Sequence, residues 1–165
     1  MKKILLLLSV FLTLISCSVE RDENETESIV LPDLRLTEAD FSIKRGDSEI
    51  KMHASFLEYY SYDKKAEMED ITFTSADASG SAESASLDTE DMVLTLRGNV
   101  MLSDGSMKAL IDGVVILDTE TSDIEGSGNA SIETEEGSFS TSSFYGNLNN
   151  KEYNFQSKAT GVLRY

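Results

Sequence analysis

Two copies of one short motif, thirty residues apart, constrain the fold of this 165-residue chain more than any other feature. The residues Leu-Asp-Thr-Glu at 87–90 are followed, after seven residues, by Gly98 and Asn99. The same four residues at 117–120 are followed, after the same gap, by Gly128 and Asn129. We interpret the motif as a repeated β-hairpin, in which one strand ends at Leu-Asp, the chain turns near Thr-Glu, and the next strand carries the glycine in its middle.

Gly98 and Gly128 are predicted to have the same structural role, because they lie at the same distance from the same motif. A position without a side chain inside a strand allows a β-bulge or a strong bend. We therefore predict that the sheet curves around its interior at these two structural glycines.

Further strands surround the repeat. Apolar and polar residues alternate with the period of two that is typical of half-buried strands. Clusters of Gly, Asp, Asn and Ser separate these segments and indicate turns. The pattern predicts an all-β fold, a twisted antiparallel sandwich or jelly roll. The clearest alternating segments are residues 41–43, 50–52, 71–73, 94–96 and 100–102.

The N-terminal sequence MKKILLLLSVFLTLISC has the features of an export signal. Its apolar run at 4–15 is twelve residues long, whereas a membrane-spanning helix needs about 20. Leu14-Ile15-Ser16-Cys17 resembles the bacterial lipoprotein signal. This resemblance implies that the signal peptide 1–16 is removed and that Cys17 carries acyl chains such as palmitate. The alternative is an ordinary secretory signal followed by an incidental cysteine.

Composition supports export and excludes several partners. Cys17 is the chain's one cysteine, so no disulfide can form within the chain. The loss of Lys2 and Lys3 with the signal would lower the formal net charge from −16 to −18. Such a chain is unsuited to nucleic acid and is not attracted to anionic headgroups by charge. Residues 17–30 are predicted to be a lipidated, flexible, acidic tether, which leaves 31–165 as one folded domain.

The order of segments in the folded part resembles the LptC family of lipopolysaccharide-export proteins, and more distantly the LptA family. The resemblance covers roughly residues 31–163. The residues that carry it are Leu-Pro-Asp-Leu at 31–34 with Phe41, Met-His-Ala at 52–54 with Glu-Tyr-Tyr at 58–60, Ile-Thr-Phe at 71–73, then Gly80, Ala82 and Ala85, and finally 94–100 with the second Leu-Asp-Thr hairpin.

The resemblance implies a twisted β-jelly roll, possibly open along one side, that binds acyl chains in an apolar groove and breaks no bond. It also implies three kinds of partner: lipopolysaccharide or a related glycolipid, inner-membrane ABC transporter permeases, and an LptA-like periplasmic protein that pairs edge to edge. No cofactor is expected.

This chain departs from the family in two ways. A lipoprotein signal replaces the usual transmembrane helix, and the acidic domain would meet an anionic lipid. The expected location is the cell envelope, facing the periplasm. A transporter partner favours the inner membrane, while Ser18 lacks the aspartate that retains enteric lipoproteins there, so the outer membrane stays open.

Apolar strand positions are the candidate lipid-binding residues. They either pack against one another as the core of a closed sandwich or line a groove for acyl chains. The second interpretation depends on the family resemblance. The candidates are Ile71, Phe73, Leu94, Leu96, Val100, Leu102, Val114, Ile116, Ile124, Ile132, Phe139 and Phe144.

The sequence contains no recognisable catalytic or metal-binding constellation. His53 is the one histidine, which removes histidine triads and multi-histidine metal sites. The acidic stretches at 118–123 and 133–136 lack the spacing of a calcium loop and are interpreted as solvated turns. No catalytic residue and no metal ligand is therefore predicted.

The last predicted strand, 153–163, is expected to lie at an edge of the sheet. Such an edge either pairs with another protein or is protected by Lys151, Lys158 and Arg164. The alternative to a transport function is a structural or adhesive envelope lipoprotein with a closed β-sandwich and no lipid cargo.

Overall fold

The computed structural model describes residues 30–45, 48–76, 78–156 and 158–163. Within these residues no helix is long and apolar enough to cross a membrane. The described residues from 31 onwards form one compact unit, in which ten strands are present. The strands are β1 Leu34–Arg45, β2 Ser48–Tyr60, β3 Lys65–Thr74, β4 Ser79–Asp88, β5 Val93–Ser103, β6 Met107–Asp118, β7 Asp123–Thr134, β8 Gly137–Asn147, β9 Glu152–Phe155 and β10 Thr160–Leu163.

All strand pairings are antiparallel, and consecutive strands are neighbours from β1 to β8. In the described part of the chain, β1 pairs only with β2, while β9 and β10 pair only with β8, so the sheet does not close into a barrel. The predicted all-β antiparallel jelly roll, open at its edges, is confirmed.

The predicted continuous last strand is wrong in one respect. β9 pairs with residues 144–147 of β8, and β10 pairs with residues 137–140 of the same strand. The two short strands therefore follow one another along one edge, and the described residues between them, 156, 158 and 159, belong to neither strand. The interruption lies beside Ser142, where β8 itself is irregular.

One line of irregularities crosses the whole sheet. At this line, every second strand carries a residue with a positive φ angle: 51° at Glu38, 47° at Asp70, 90° at Gly98 and 122° at Gly128. Between them, β6 contributes Gly113, which is directly paired with Gly98 and Gly128. The register also shifts at this line where β4 pairs with β5 and where β7 pairs with β8. We call this the bend line; from β1 to β8 it passes through Glu38, Ser55, Asp70, Glu83, Gly98, Gly113, Gly128 and Ser142.

The sheet folds over on itself along the bend line. Tyr153 lies in the same cross-strand row as Leu94, and Asp104 follows ten residues after Leu94. In a flat sheet these side chains would be more than about 30 Å apart, at about 3.4 Å per residue. Instead the Tyr153 hydroxyl donates a hydrogen bond to Asp104 Oδ2. Each long strand therefore contributes to two facing layers.

We call the layer that contains Leu94, Leu117 and Ile124 the lower layer, and the layer that contains Leu102, Met107 and Ile132 the upper layer. Their apolar side chains meet between the layers and form one core. Along β5, β6 and β7, residues facing this core alternate with more exposed residues, as the period-two pattern requires.

The turns of the lower layer explain the repeated motif. Asp88 Oδ1 accepts hydrogen bonds from the amides of Glu90 and Asp91, both at 2.9 Å. Asp118 Oδ1 accepts bonds from Glu120 and Thr121, at 2.7 and 2.9 Å. The aspartate of each copy therefore closes its own turn.

The threonine of each copy joins its turn to the preceding one. Thr89 donates from its amide and its hydroxyl to the carbonyl of Lys64, both at 2.8 Å. Thr119 does the same to the carbonyl of Met92, at 3.0 and 2.7 Å. The repeat recurs because each hairpin must stack on the one before it.

Loss of the Asp118 carboxylate is expected to destabilise the domain only above acidic pH. Hydrogen bonds from the backbone at Thr121 and Glu120 hold the pKa of Asp118 below its ordinary value. Such a group contributes stability above its unfolded pKa of about 3.9, and that stability is lost as the pH falls through the lowered folded pKa. Urea unfolding of Asp118→Ala should show a lower midpoint than the wild type at pH 6.

The same difference should be smaller at pH 2.5, because the stabilisation by the Asp118 carboxylate is lost as the pH falls through its lowered folded pKa. Glu125→Ala is the control, since Glu125 is an exposed carboxylate on β7. An equal loss for Asp118→Ala at both pH values would show that the carboxylate does not stabilise the turn through its charge.

Candidate functional site

The space between the two layers is the candidate functional site. Nine of the twelve predicted lipid-binding residues are buried there, each less than a tenth exposed. They come from four strands, β3, β5, β7 and β8, and from both layers. One apolar interior therefore extends along the direction in which the strands stack. The nine are Ile71, Phe73, Leu94, Leu96, Val100, Leu102, Ile124, Ile132 and Phe144.

The remaining three candidates lie elsewhere. Ile116 is 42% exposed on the outer face, and Val114 is half-buried on the same side of β6. Their predicted inward orientation is wrong, because residues 114–117 are all apolar and their own pattern does not select a face. The inward face of β6 is identified by Met107 and Ile111, which alternate with exposed neighbours. The same alternation places Val115 and Leu117 inside.

Phe139 is half-buried near the β10 edge. Its ring packs against Phe155 with centroids 5.8 Å apart and planes inclined by 30°. This pair lies where β9 ends beside β8, so Phe139 contributes to the boundary of the interior more than to its centre.

Sequence reasoning missed several interior residues. The methionines were not among the candidates because their segments carry many charged or hydroxyl residues, although Met52 lies in an alternating segment and Met107 has exposed neighbours on both sides. The same alternation could have found Leu87, at the end of the first repeated motif. The missed residues with large side chains are Met52, Leu57, Met68, Leu87, Met107, Ile111, Val115 and Leu117.

The interior is closely packed in this structure. Beside Asp104 and Leu148 the side chains leave a cavity of about 10 Å³, which is about the space of one water molecule. Pockets that bind drug-sized ligands typically measure about 300–1,000 Å³. An acyl chain can therefore occupy this interior only if the two layers move apart.

A polar contact closes the layers on the side away from the bend line. Asp104, in the turn between β5 and β6, is only 4% exposed. Its Oδ1 accepts bonds from the Ser106 amide and hydroxyl and from the Met107 amide, at 2.8–2.9 Å. Its Oδ2 accepts the hydroxyl of Tyr153 from β9. This is a bond between the upper and lower layers.

The two groups perturb each other's ionisation. Burial would raise the pKa of Asp104, but hydrogen bonds from Tyr153 and Ser106 outweigh it and hold that pKa below its ordinary value. Burial and the Asp104 carboxylate raise the pKa of the Tyr153 hydroxyl. Near neutral pH the contact is therefore a charge-assisted hydrogen bond between a carboxylate and a neutral phenol.

His53 lies on the outer face of β2, with its side chain 41% exposed. Its Nδ1 is 2.9 Å from Asp40 Oδ1, and its Nε2 is 3.5 Å from Glu38 Oε2. The two acidic neighbours belong to β1, so the contact joins the first two strands. His53 therefore occupies a surface position and links β1 to β2.

The two acidic stretches lie largely in turns. Residues 118–123 span the turn between β6 and β7, and 133–136 span the turn between β7 and β8. Among the described residues, no group of three or more His, Cys, Asp or Glu side chains is placed to hold a metal ion. The absence of catalysis stays a prediction.

The two edges of the sheet differ in their exposed side chains. On β1, Leu34 and Leu36 are exposed beside a backbone edge that pairs with no other described strand. On β10, Val162 is 67% exposed. Cys17, the signal peptide 1–16 and nearly all of the tether 17–30 lie outside the described residues, so their roles stay predictions.

The sheet, bend line and apolar interior define an open antiparallel β-jelly roll. A similar solved structure is LptH from Pseudomonas aeruginosa, the LptA-homologous periplasmic component of that organism's lipopolysaccharide transport device. It shares 12% sequence identity, with a TM-score of 0.61 over 70% of this chain and 95% of LptH. At this identity the similarity establishes the fold. No protein-family model and no curated protein matches the chain.

Proposed function

We propose that this protein is a membrane-anchored periplasmic component of an export bridge for lipopolysaccharide or a related glycolipid. Its interior binds acyl chains and passes them to a partner jelly roll. The observation that carries this proposal is the direction of the apolar interior. It runs across the stacked strands, from one unpaired sheet edge towards the other. When a second jelly roll pairs with either edge, its apolar interior lies in line with this one, and the two form one continuous channel.

The N-terminus supports an anchored, LptC-like role within such a bridge. Acyl chains on Cys17 hold the protein to a membrane, with the inner membrane favoured by a transporter partner. The tether 17–30 connects the lipid to the jelly roll and spans on the order of 50 Å when fully extended. A lipid anchor thus takes the place of the transmembrane helix.

The edges support two different partners. The exposed leucines of β1 suit a protein partner at the first strand, and we assign this edge to the transporter permeases. The interrupted β9 and β10 edge suits strand pairing with an LptA-like protein.

The acidic surface restricts how the cargo is held. A formal net charge of −16 repels an anionic headgroup. We therefore assign binding to the apolar interior, with the headgroup outside in water. A glycolipid with fewer negative charges than lipopolysaccharide fits this surface as well.

A second function is favoured by one observation, the close packing of the interior. A cavity of about 10 Å³ is what a structural or adhesive lipoprotein with a closed β-sandwich would show. The two functions differ in whether the layers separate to admit lipid.

Lipid analysis of the full-length protein separates the two functions. Protein extracted from membranes in mild detergent should carry a multiply acylated glycolipid in near-equimolar amount, identified by mass spectrometry. Cys17→Ser should move the protein from the membrane to the soluble fraction while leaving its β-sheet circular dichroism unchanged. Wild-type protein that carries no glycolipid would contradict the transport function and favour the structural one.

A further inference from the structure

We propose that the Asp104–Tyr153 hydrogen bond is a clasp that closes the mouth of the interior, and that an acyl chain enters between the layers where this bond opens. The identity of the ligand depends on the proposed function. The clasp itself depends only on the geometry of the two layers.

The bond lies at the rim of the apolar interior. Asp104 lines the small cavity together with Met107 of the upper layer and Leu148 of the lower layer. Leu148 follows β8 in the same turn region that leads to Tyr153 on β9. Separation of the layers at this point would expose apolar side chains of both layers directly behind the polar contact.

The hydrogen-bond donors around Asp104 link breakage of the Asp104–Tyr153 bond to opening of the mouth. Three of the donors, from Ser106 and Met107, belong to its own turn and stay in place when the layers move. The Tyr153 hydroxyl comes from the other layer and is the donor to Oδ2. A nearly buried carboxylate oxygen that loses its donor needs water. Asp104 is only 4% exposed while the layers are closed, so separation of the layers is the change that gives solvent free access to Oδ2, and we link breakage of the bond to opening of the mouth.

The opposite side of the roll provides the flexible connection. The layers are joined along the bend line, where β5, β6 and β7 carry Gly98, Gly113 and Gly128 in one cross-strand row. Glycine adopts a wide range of backbone angles at little steric cost. A change in the angle between the layers can therefore be absorbed there while the clasp side opens.

The test compares Tyr153→Phe with a matched control, Tyr60→Phe. Tyr60 also donates to a carboxylate, Glu58 Oε2 at 2.8 Å, but both residues belong to β2. Amide hydrogen exchange is measured by mass spectrometry on peptides covering 104–110 and 148–153. Loading of a fluorescent fatty acid, cis-parinaric acid, is measured on the same full-length proteins.

Tyr153→Phe should raise exchange in both peptides about tenfold, the effect of losing one charge-assisted hydrogen bond, and should load the fatty acid faster. Tyr60→Phe should change neither. Unchanged exchange in Tyr153→Phe would overturn the clasp. Increased exchange with no fatty acid bound by any variant would keep the clasp and contradict the proposed function. If Tyr153→Phe does not fold, Asp104→Asn is judged by the same two outcomes, since it keeps an acceptor for its own turn and removes the charge from the bond to Tyr153.

Discussion

Replacing Gly128 with valine is expected to destabilise the domain by about 3–5 kcal/mol, or to prevent folding. Gly128 has a φ of 122°, which residues with a side chain rarely adopt, and a Cβ atom there would overlap the carbonyl oxygen of Asp112. Backbone strain costs about 1–3 kcal/mol and overpacking about as much again. Urea unfolding of the variant and the wild type measures the loss.

Two other glycines serve as controls for this prediction. Gly105 has a φ of 81°, but a Cβ atom added there would have no neighbouring atom within 4 Å, so Gly105→Val tests strain alone. Gly98→Val should have an intermediate effect, since the nearest atoms to its Cβ would belong to the side chain of Glu83 and not to the backbone, although they include the Glu83 Cβ. A loss for Gly128→Val no larger than for Gly105→Val would show that the bend line tolerates side chains and is not a structural constraint.

Replacing Leu96 with glutamate is expected to cost more than about 4 kcal/mol, or to abolish folding. Leu96 is fully buried between the layers, and an unpaired charge in such a place is among the most destabilising single changes. The free energy of unfolding, from urea denaturation followed by circular dichroism, gives the effect.

Ile116→Glu is the matched control. Leu96 pairs across strands with Val115, the residue next to Ile116, but Ile116 points outwards. The control should change stability by no more than about 0.5 kcal/mol. If the two variants were equally destabilised, the assignment of inner and outer faces on β6 would be wrong.

The strands could be predicted from the sequence because alternation and turn residues are local signals. The repeated motif also indicated two of the glycines on the bend line. Gly113 has no such motif around it, and Glu38 and Asp70 adopt a positive φ although nothing in their own sequence requires it. The position of the bend line depends on how many strands are aligned with one another. The sequence of a single strand does not contain that information.

The candidate site was predictable to a similar extent. Most interior residues follow from alternation, whereas the face of Ile116 does not, because it lies in an unbroken apolar run. The clasp could not be predicted, since Asp104 and Tyr153 lie 49 residues apart. Only the folding of the sheet onto itself brings them together.

The most direct test of the central claim is photocrosslinking in cells from position 96, with position 116 as the control. The full-length chain carries a photoreactive amino acid in place of Leu96 or Ile116, and adducts are identified by mass spectrometry. The account predicts a glycolipid adduct from position 96 and none from position 116. No adduct from position 96, or equal adducts from both positions, would contradict the binding of acyl chains between the layers.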